Sequence, residues 1–178
     1  EGIQDPVVSN SGSVHEWDEY ATGAIGAMKI SPDGSRIAST FNHVSDVGVV
    51  VEAHLEVGSF DNVTGVVEIT QSVVKNTIEN QQGYGVEFSP DNTKLYWSLF
   101  GSIQLFQYST NSSPIDDSEV LISSTFINAY CGMQLGPDGR IYIARSNGAS
   151  YLSRIENPNA QGPDVILTNE AVSLSNLS

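Results

Sequence analysis

The stretch Met28-Lys29-Ile30-Ser31-Pro32-Asp33-Gly34 has two echoes further along the chain. They are Val86-Glu87-Phe88-Ser89-Pro90-Asp91-Asn92 and Met133-Gln134-Leu135-Gly136-Pro137-Asp138-Gly139. Each begins apolar, polar, apolar, a period of two that reads as a strand with Lys29, Glu87 and Gln134 on the opposite face. Each ends in a Pro-Asp-Gly or Pro-Asp-Asn turn. Proline presets φ near about −65° at the second turn position, and Gly or Asn tolerates the positive φ that follows. An apolar strand then resumes at Ile37-Ala38, at Leu95-Tyr96-Trp97 and at Ile141-Tyr142-Ile143-Ala144. The third copy is one residue shorter between proline and strand, which predicts a slightly different hairpin.

Two further strands follow each hairpin. The first unit adds Val49-Val50-Val51 with a run from His54 to Phe60, then Val66-Val67-Glu68-Ile69 after a turn at Asp61 to Gly65. The second adds Ile103 to Tyr108 and Val120-Leu121-Ile122, and the third adds Tyr151 to Ile155 and Val165-Ile166-Leu167. Four short antiparallel strands per unit, with no helical period, is the pattern of an all-β propeller blade. Pro32, Pro90 and Pro137 lie 58 and 47 residues apart, near the roughly 40–50 residues of a blade. The expected repeats span about 24–70, 83–124 and 131–168, with 1–23 and 169–178 as parts of adjacent blades. An ordinary β-sandwich is the alternative fold. Three repeats and the N-terminal stretch make about three and a half blades, short of the roughly four to eight of a closed ring unless a four-bladed one borrows a strand. The expectation is a partial propeller, a fragment completed by other blades of a longer chain or by a second chain.

Of the 178 residues, 21 are acidic and 7 basic, a formal charge of −14. Phosphate recognition needs clustered Lys and Arg, so nucleic acid is excluded as a partner, and so is docking on an anionic membrane. No run approaches the roughly 18 apolar residues of a membrane span. Because 16% of residues are charged and 39% apolar, the chain is a folded domain rather than an acidic tail. The single cysteine, Cys131, excludes an intrachain disulfide or a Cys-based zinc site and is expected as a buried strand thiol.

With the repeat identified, several stretches resemble a known group. Gly85 to Pro90, Leu135 to Arg145, Phe60 to Val67 and Ile155 to Asn159 look like the N-terminal propeller of large secreted surface proteins of Bacteroidetes-type bacteria. Those proteins carry PKD-like repeats and a type IX secretion sorting domain linked with gliding motility and adhesion. The resemblance covers about Gly26 to Val172 and implies a secreted or cell-surface location. It supplies no catalytic residues. More distantly, the pattern is similar to lactonase-like and WD40-like propellers.

Motifs that carry chemistry are scarce. There is no Gly-x-Ser-x-Gly elbow, no Walker lysine and no His-Glu-x-x-His. His15, His43 and His54 have no metal-ligand spacing, so no metal or other cofactor is expected, and a structural role is expected for His54. Asp61, Asn62 and Thr64 read as a hairpin turn capped by Asx side chains rather than a calcium loop. Asp116, Asp117 and Glu119 read as a solvated acidic loop. Tyr84, Tyr96, Trp97, Phe100, Phe106 and Tyr142 are expected as core. Lys29, Glu87 and Gln134 occupy equivalent places in three first strands, either as a charge pair between blades or as the lining of a polar channel site. The expected function is therefore a non-catalytic module mediating adhesion or binding of a protein or glycan. The alternative is a lactonase-like hydrolytic propeller with a channel-bound metal.

Overall fold

The structure, a computed structural model, describes residues 5–14, 26–45, 49–77, 81–101, 104–124 and 129–175. The described residues form three four-stranded antiparallel sheets, each a meander in chain order. The first holds β1 (Met28–Ile30), β2 (Arg36–Val44), β3 (Val50–Phe60) and β4 (Val67–Asn76). The second holds β5 (Gln82–Phe88), β6 (Lys94–Phe100), β7 (Gln104–Ser109) and β8 (Val120–Ser124). The third holds β9 (Tyr130–Leu135), β10 (Ile141–Arg145), β11 (Tyr151–Ile155) and β12 (Leu167–Ser173). This is an all-β partial propeller of three stacked blades. Val49 to Phe60, read as two runs, is nearly all one strand, since polar Glu52 pairs across to both His43 and Asn76. Residues 169–173, assigned to an adjacent blade, belong to β12: Thr168 pairs with Arg154 and Val172 with Leu152. Residues 5–14 form no strand; Ser9 and Ser11 instead accept the backbone N–H groups of Val67 and Ile69 at 2.9 and 2.6 Å. His15 and residues 16–23 of the expected adjacent blade lie outside the described residues.

The repeated hairpins have a side-chain cause. Asp33 Oδ1 accepts the Ser31 hydroxyl at 2.6 Å and both the N–H and the hydroxyl of Ser35 at 3.0 and 2.9 Å. Asp91 repeats this with Ser89 and Thr93 at 2.6, 3.0 and 2.9 Å. These donors, the Ser31 hydroxyl first, hold the Asp33 carboxyl below the usual carboxylate range. Gly34, Asn92 and Gly139 take the expected positive φ of 72°, 63° and 76°. In the shorter third hairpin Gly136 replaces the serine, and Asp138 turns to the Tyr142 hydroxyl at 2.8 Å.

Two cores lie between the sheets. Leu55, Val57, Val73, Phe88, Trp97 and Tyr108 fill the first, and Tyr96, Leu105, Tyr130, Ile141 and Ile155 fill the second. Of the aromatics expected as core, Tyr96, Trp97 and Phe106 are buried, whereas Tyr84 is exposed and Phe100 and Tyr142 are half-buried, at a strand end and on a solvent-side face. Cys131 is half-buried rather than buried; what burial it has still raises its thiol pKa. Glu119 departs from the solvated-loop expectation as well: it accepts the Tyr108 hydroxyl and Lys75 Nζ, each at 2.6 Å.

A Thr or Ser hydroxyl at an equivalent place in the repeat links each pair of neighbouring blades. Thr40 Oγ1 accepts the Ala27 N–H at 2.8 Å and donates to the Tyr84 carbonyl in the next blade at 2.9 Å. Ser98 Oγ does the same between the Gly85 N–H at 2.9 Å and the Cys131 carbonyl at 3.1 Å. The approach leaves no room for a side chain at Gly85, where a Cβ would lie 2.2 Å from the Cys131 carbonyl oxygen. At Gly132 a Cβ would meet nothing within 4 Å. Gly85→Ala is therefore expected to destabilise by about 1–3 kcal/mol, and Gly132→Ala by less than about 0.5 kcal/mol. Urea unfolding midpoints of the two variants check this. Equal midpoints would show that the close blade approach is absent.

Candidate functional site

Lys29, Glu87 and Gln134 sit on β1, β5 and β9, the first strand of each sheet, and the structure brings all three together. Lys29 Nζ lies 3.1 Å from Glu87 Oε2 and donates to Gln134 Oε1 at 2.7 Å. Glu87 is buried, and its oxygens also accept the Phe88 and Leu135 N–H groups at 3.0 and 2.9 Å. A carboxylate with this many donors is satisfied within the protein. The contacts are those of a charged tie across three blades.

A second constellation was not read from the sequence. In the β2–β3 hairpin, Phe41 pairs with His54 and His43 with Glu52. Residues two apart on a strand share a face, so His43, Glu52 and His54 project together. Thr40 and Asn42 project the other way and bond to the second sheet through Tyr84 and Gly83. The cluster thus lies on the face of the first sheet turned away from the second, beside the β2–β3 loop. It sits on middle strands, not on the first strands where a channel-bound group was expected. His43 Nδ1 and His54 Nε2 both point at Glu52 Oε2, at 3.2 and 3.1 Å. The three ligand atoms all lie within 4.8 Å of one another.

The surroundings order this cluster without sealing it. His54 stacks on Phe41, with centroids 4.6 Å apart and planes 16° apart. The side chains of His43 and Glu52 are 37% and 35% exposed, whereas that of His54 is 10% exposed. Burial lowers the His54 pKa against the opposing pull of Glu52, which favours the neutral imidazole. The His54 hydrogen bond, with that of His43, holds the Glu52 carboxyl below its usual range. Sequence spacing alone hides the site, because ligands eleven residues apart meet only through hairpin register. The signal that would have found it is the register itself, centred on the loop between Val44 and Val50. By contrast, Asp61 caps its own turn through the Val63 and Thr64 N–H groups, as expected.

No protein-family model and no curated protein matches the chain. Solved structures do. A candidate 6-phosphogluconolactonase from Bacteroides fragilis matches at 14% identity, over 81% of this chain and 55% of that one, with a TM-score of 0.45. The periplasmic gluconolactonase of Pseudomonas aeruginosa matches at 13%, over 82% and 45%, with a TM-score of 0.49. A candidate 6-phosphogluconolactonase from Bacteroides uniformis matches at 11%, over 80% and 56%, with a TM-score of 0.40. The chain spans about half the length of these structures. The likeness is one of propeller fold. The expectation of a non-catalytic adhesion module is not what these comparisons return: the structures that match are described as lactonases or candidate lactonases. Among the described residues, no helix is long and apolar enough to cross a membrane.

The blade tie yields its own test. Lys29→Met leaves the buried Glu87 carboxylate with only its two N–H donors, at an expected cost of about 1–3 kcal/mol. A cycle with Glu87→Gln should give a coupling of about 1 kcal/mol or more. Additive unfolding free energies would mean that the ion pair contributes nothing between the blades.

Proposed function

We propose that the chain is part of a hydrolytic propeller that opens an uncharged lactone or a similar small ester. The observation that carries this reading is the convergence of His43 Nδ1, His54 Nε2 and Glu52 Oε2 at one partly exposed point. Two imidazoles and a carboxylate aimed at one place are suited to holding a water and drawing off its proton. The water oxygen would add to the acyl carbon. The ring C–O bond would then break, and the departing oxygen would take a proton to give the hydroxy acid. The lactonases among the similar structures agree with this class of reaction, while the residues that perform it are argued from this chain alone. A formal charge of −14 disfavours a phosphorylated substrate by long-range repulsion and leaves an uncharged lactone the better candidate.

The same proposal takes the ring to be closed by further blades, of a longer chain or a second chain, and places the protein outside the cytoplasm. Lys29, Glu87 and Gln134 would then lie along the central channel as a structural tie rather than as catalytic groups.

A panel of uncharged five- and six-membered lactones and one phosphorylated lactone, followed by proton release, tests the activity. Turnover of the uncharged lactones is expected, with Glu52→Gln and His43→Ala each reducing it by about a hundredfold or more. Absence of turnover across the panel, or full activity in both variants, would sink the hydrolytic reading.

A further inference from the structure

We infer that His43, Glu52 and His54 form a binding site for a single divalent ion of the zinc class. The inference deepens the hydrolytic reading and rests on it for the role of the ion, though not for the binding itself. Zinc held by nitrogen at about 2.0–2.1 Å and by carboxylate oxygen at about 2.0–2.2 Å in a tetrahedron sets its ligand atoms about 3.3 Å apart. Here Glu52 Oε2 lies 3.2 Å from His43 Nδ1 and 3.1 Å from His54 Nε2. Two edges of the tetrahedron are therefore in place. The third, between the imidazoles, is no longer than 4.8 Å, and a small shift of the half-buried His43 ring would close it. His54 is already fixed by its stack on Phe41, so most of the ordering cost falls on one side chain.

Ligand chemistry selects the ion. Calcium and magnesium favour shells built wholly of oxygen. Two imidazoles with one carboxylate suit zinc and its imidazole-binding neighbours in the transition series. Three protein ligands also leave a fourth position, the arrangement in which zinc carries a water and lowers its pKa to about 7. That position opens toward solvent, because two of the three side chains are more than one-third exposed. Antiparallel pairing of β2 with β3 holds all three residues on one rigid hairpin, which favours a preformed site over one assembled by the metal.

Isothermal titration of the chelator-treated chain with zinc, and separately with calcium, tests the inference. One equivalent of zinc should bind, and calcium should not compete for it at the same concentration. His43→Ala and Glu52→Gln should each weaken zinc binding by about tenfold or more. Cobalt bound in place of zinc should show the visible absorption of a four-coordinate ion. His43 is half-buried and belongs to neither core, so its truncation is expected to leave folding intact, and that variant decides the question even where His54→Ala fails to fold. No stoichiometric zinc binding, or equal binding by the His43→Ala chain, would overturn the site. Zinc binding without lactone turnover would leave the site standing and remove the hydrolytic reading; turnover unaffected by chelator would do the reverse.

Discussion

Tyr96 and Trp97 are neighbours on β6, and a strand sends neighbouring side chains to opposite faces. Both are fully buried, each in a different core. The middle sheet is thus apolar on both sides and has no stable existence alone; it requires a blade against each face. The other features of the stack serve that requirement. Trp97 needs Leu55 and Val57 of the first sheet, and Tyr96 needs Ile141 and Ile155 of the third. The buried Tyr96 hydroxyl must find a partner, and it donates to the Pro158 carbonyl at 2.8 Å in the third blade. Gln107 completes the same seam by donating to the Ala160 carbonyl and accepting the Gly162 N–H, both at 2.8 Å. Between the first two blades, Arg36 has the corresponding task, reaching the Thr110 carbonyl at 2.8 Å.

What the sequence makes legible follows from how local each feature is. The Ser-Pro-Asp-Gly hairpin is readable because serine, aspartate and the positive-φ residue all act within five positions. The blade ties are less obvious but still periodic. Thr40 stands eight residues after Pro32, and Ser98 eight after Pro90, and the two make equivalent bonds between blades. Lys29, Glu87 and Gln134 are likewise found by equivalence within the repeat. His43 and His54 belong to no repeated position, since the matching places in the other blades carry other residues. Their meeting depends on the register of one long hairpin, and register is a tertiary property that period-two alternation leaves open. The adhesion expectation rests on the absence of motifs, and among the described residues the His43, Glu52 and His54 cluster has no motif to show.

The charge of −14 also reads differently on the structure. Asp33, Asp61, Asp91 and Asp138 are turn residues whose carboxylates accept local N–H and hydroxyl donors. Their negative charge is a by-product of turn-making rather than a designed acidic surface. Glu119 and Glu87 are tied by cations. Much of the acidity therefore has a structural task.

Glu87 and Glu52 show how the same side chain is put to two uses. Glu87 is buried and distributes three contacts over both oxygens, with one lysine and two N–H groups compensating it. No position remains there for a ligand, and any ion entering would have to displace a salt bridge from a dry site. Glu52 gathers two imidazoles onto a single oxygen at the wet end of a hairpin. A ligand there replaces two part-buried contacts confined to one atom, and it gains the two nitrogens at once. Binding at Glu87 would loosen the blade stack, whereas binding at Glu52 leaves the cores untouched. The fold could therefore carry the proposed chemistry at the second carboxylate at little cost in stability, with the first strands left to hold the blades together.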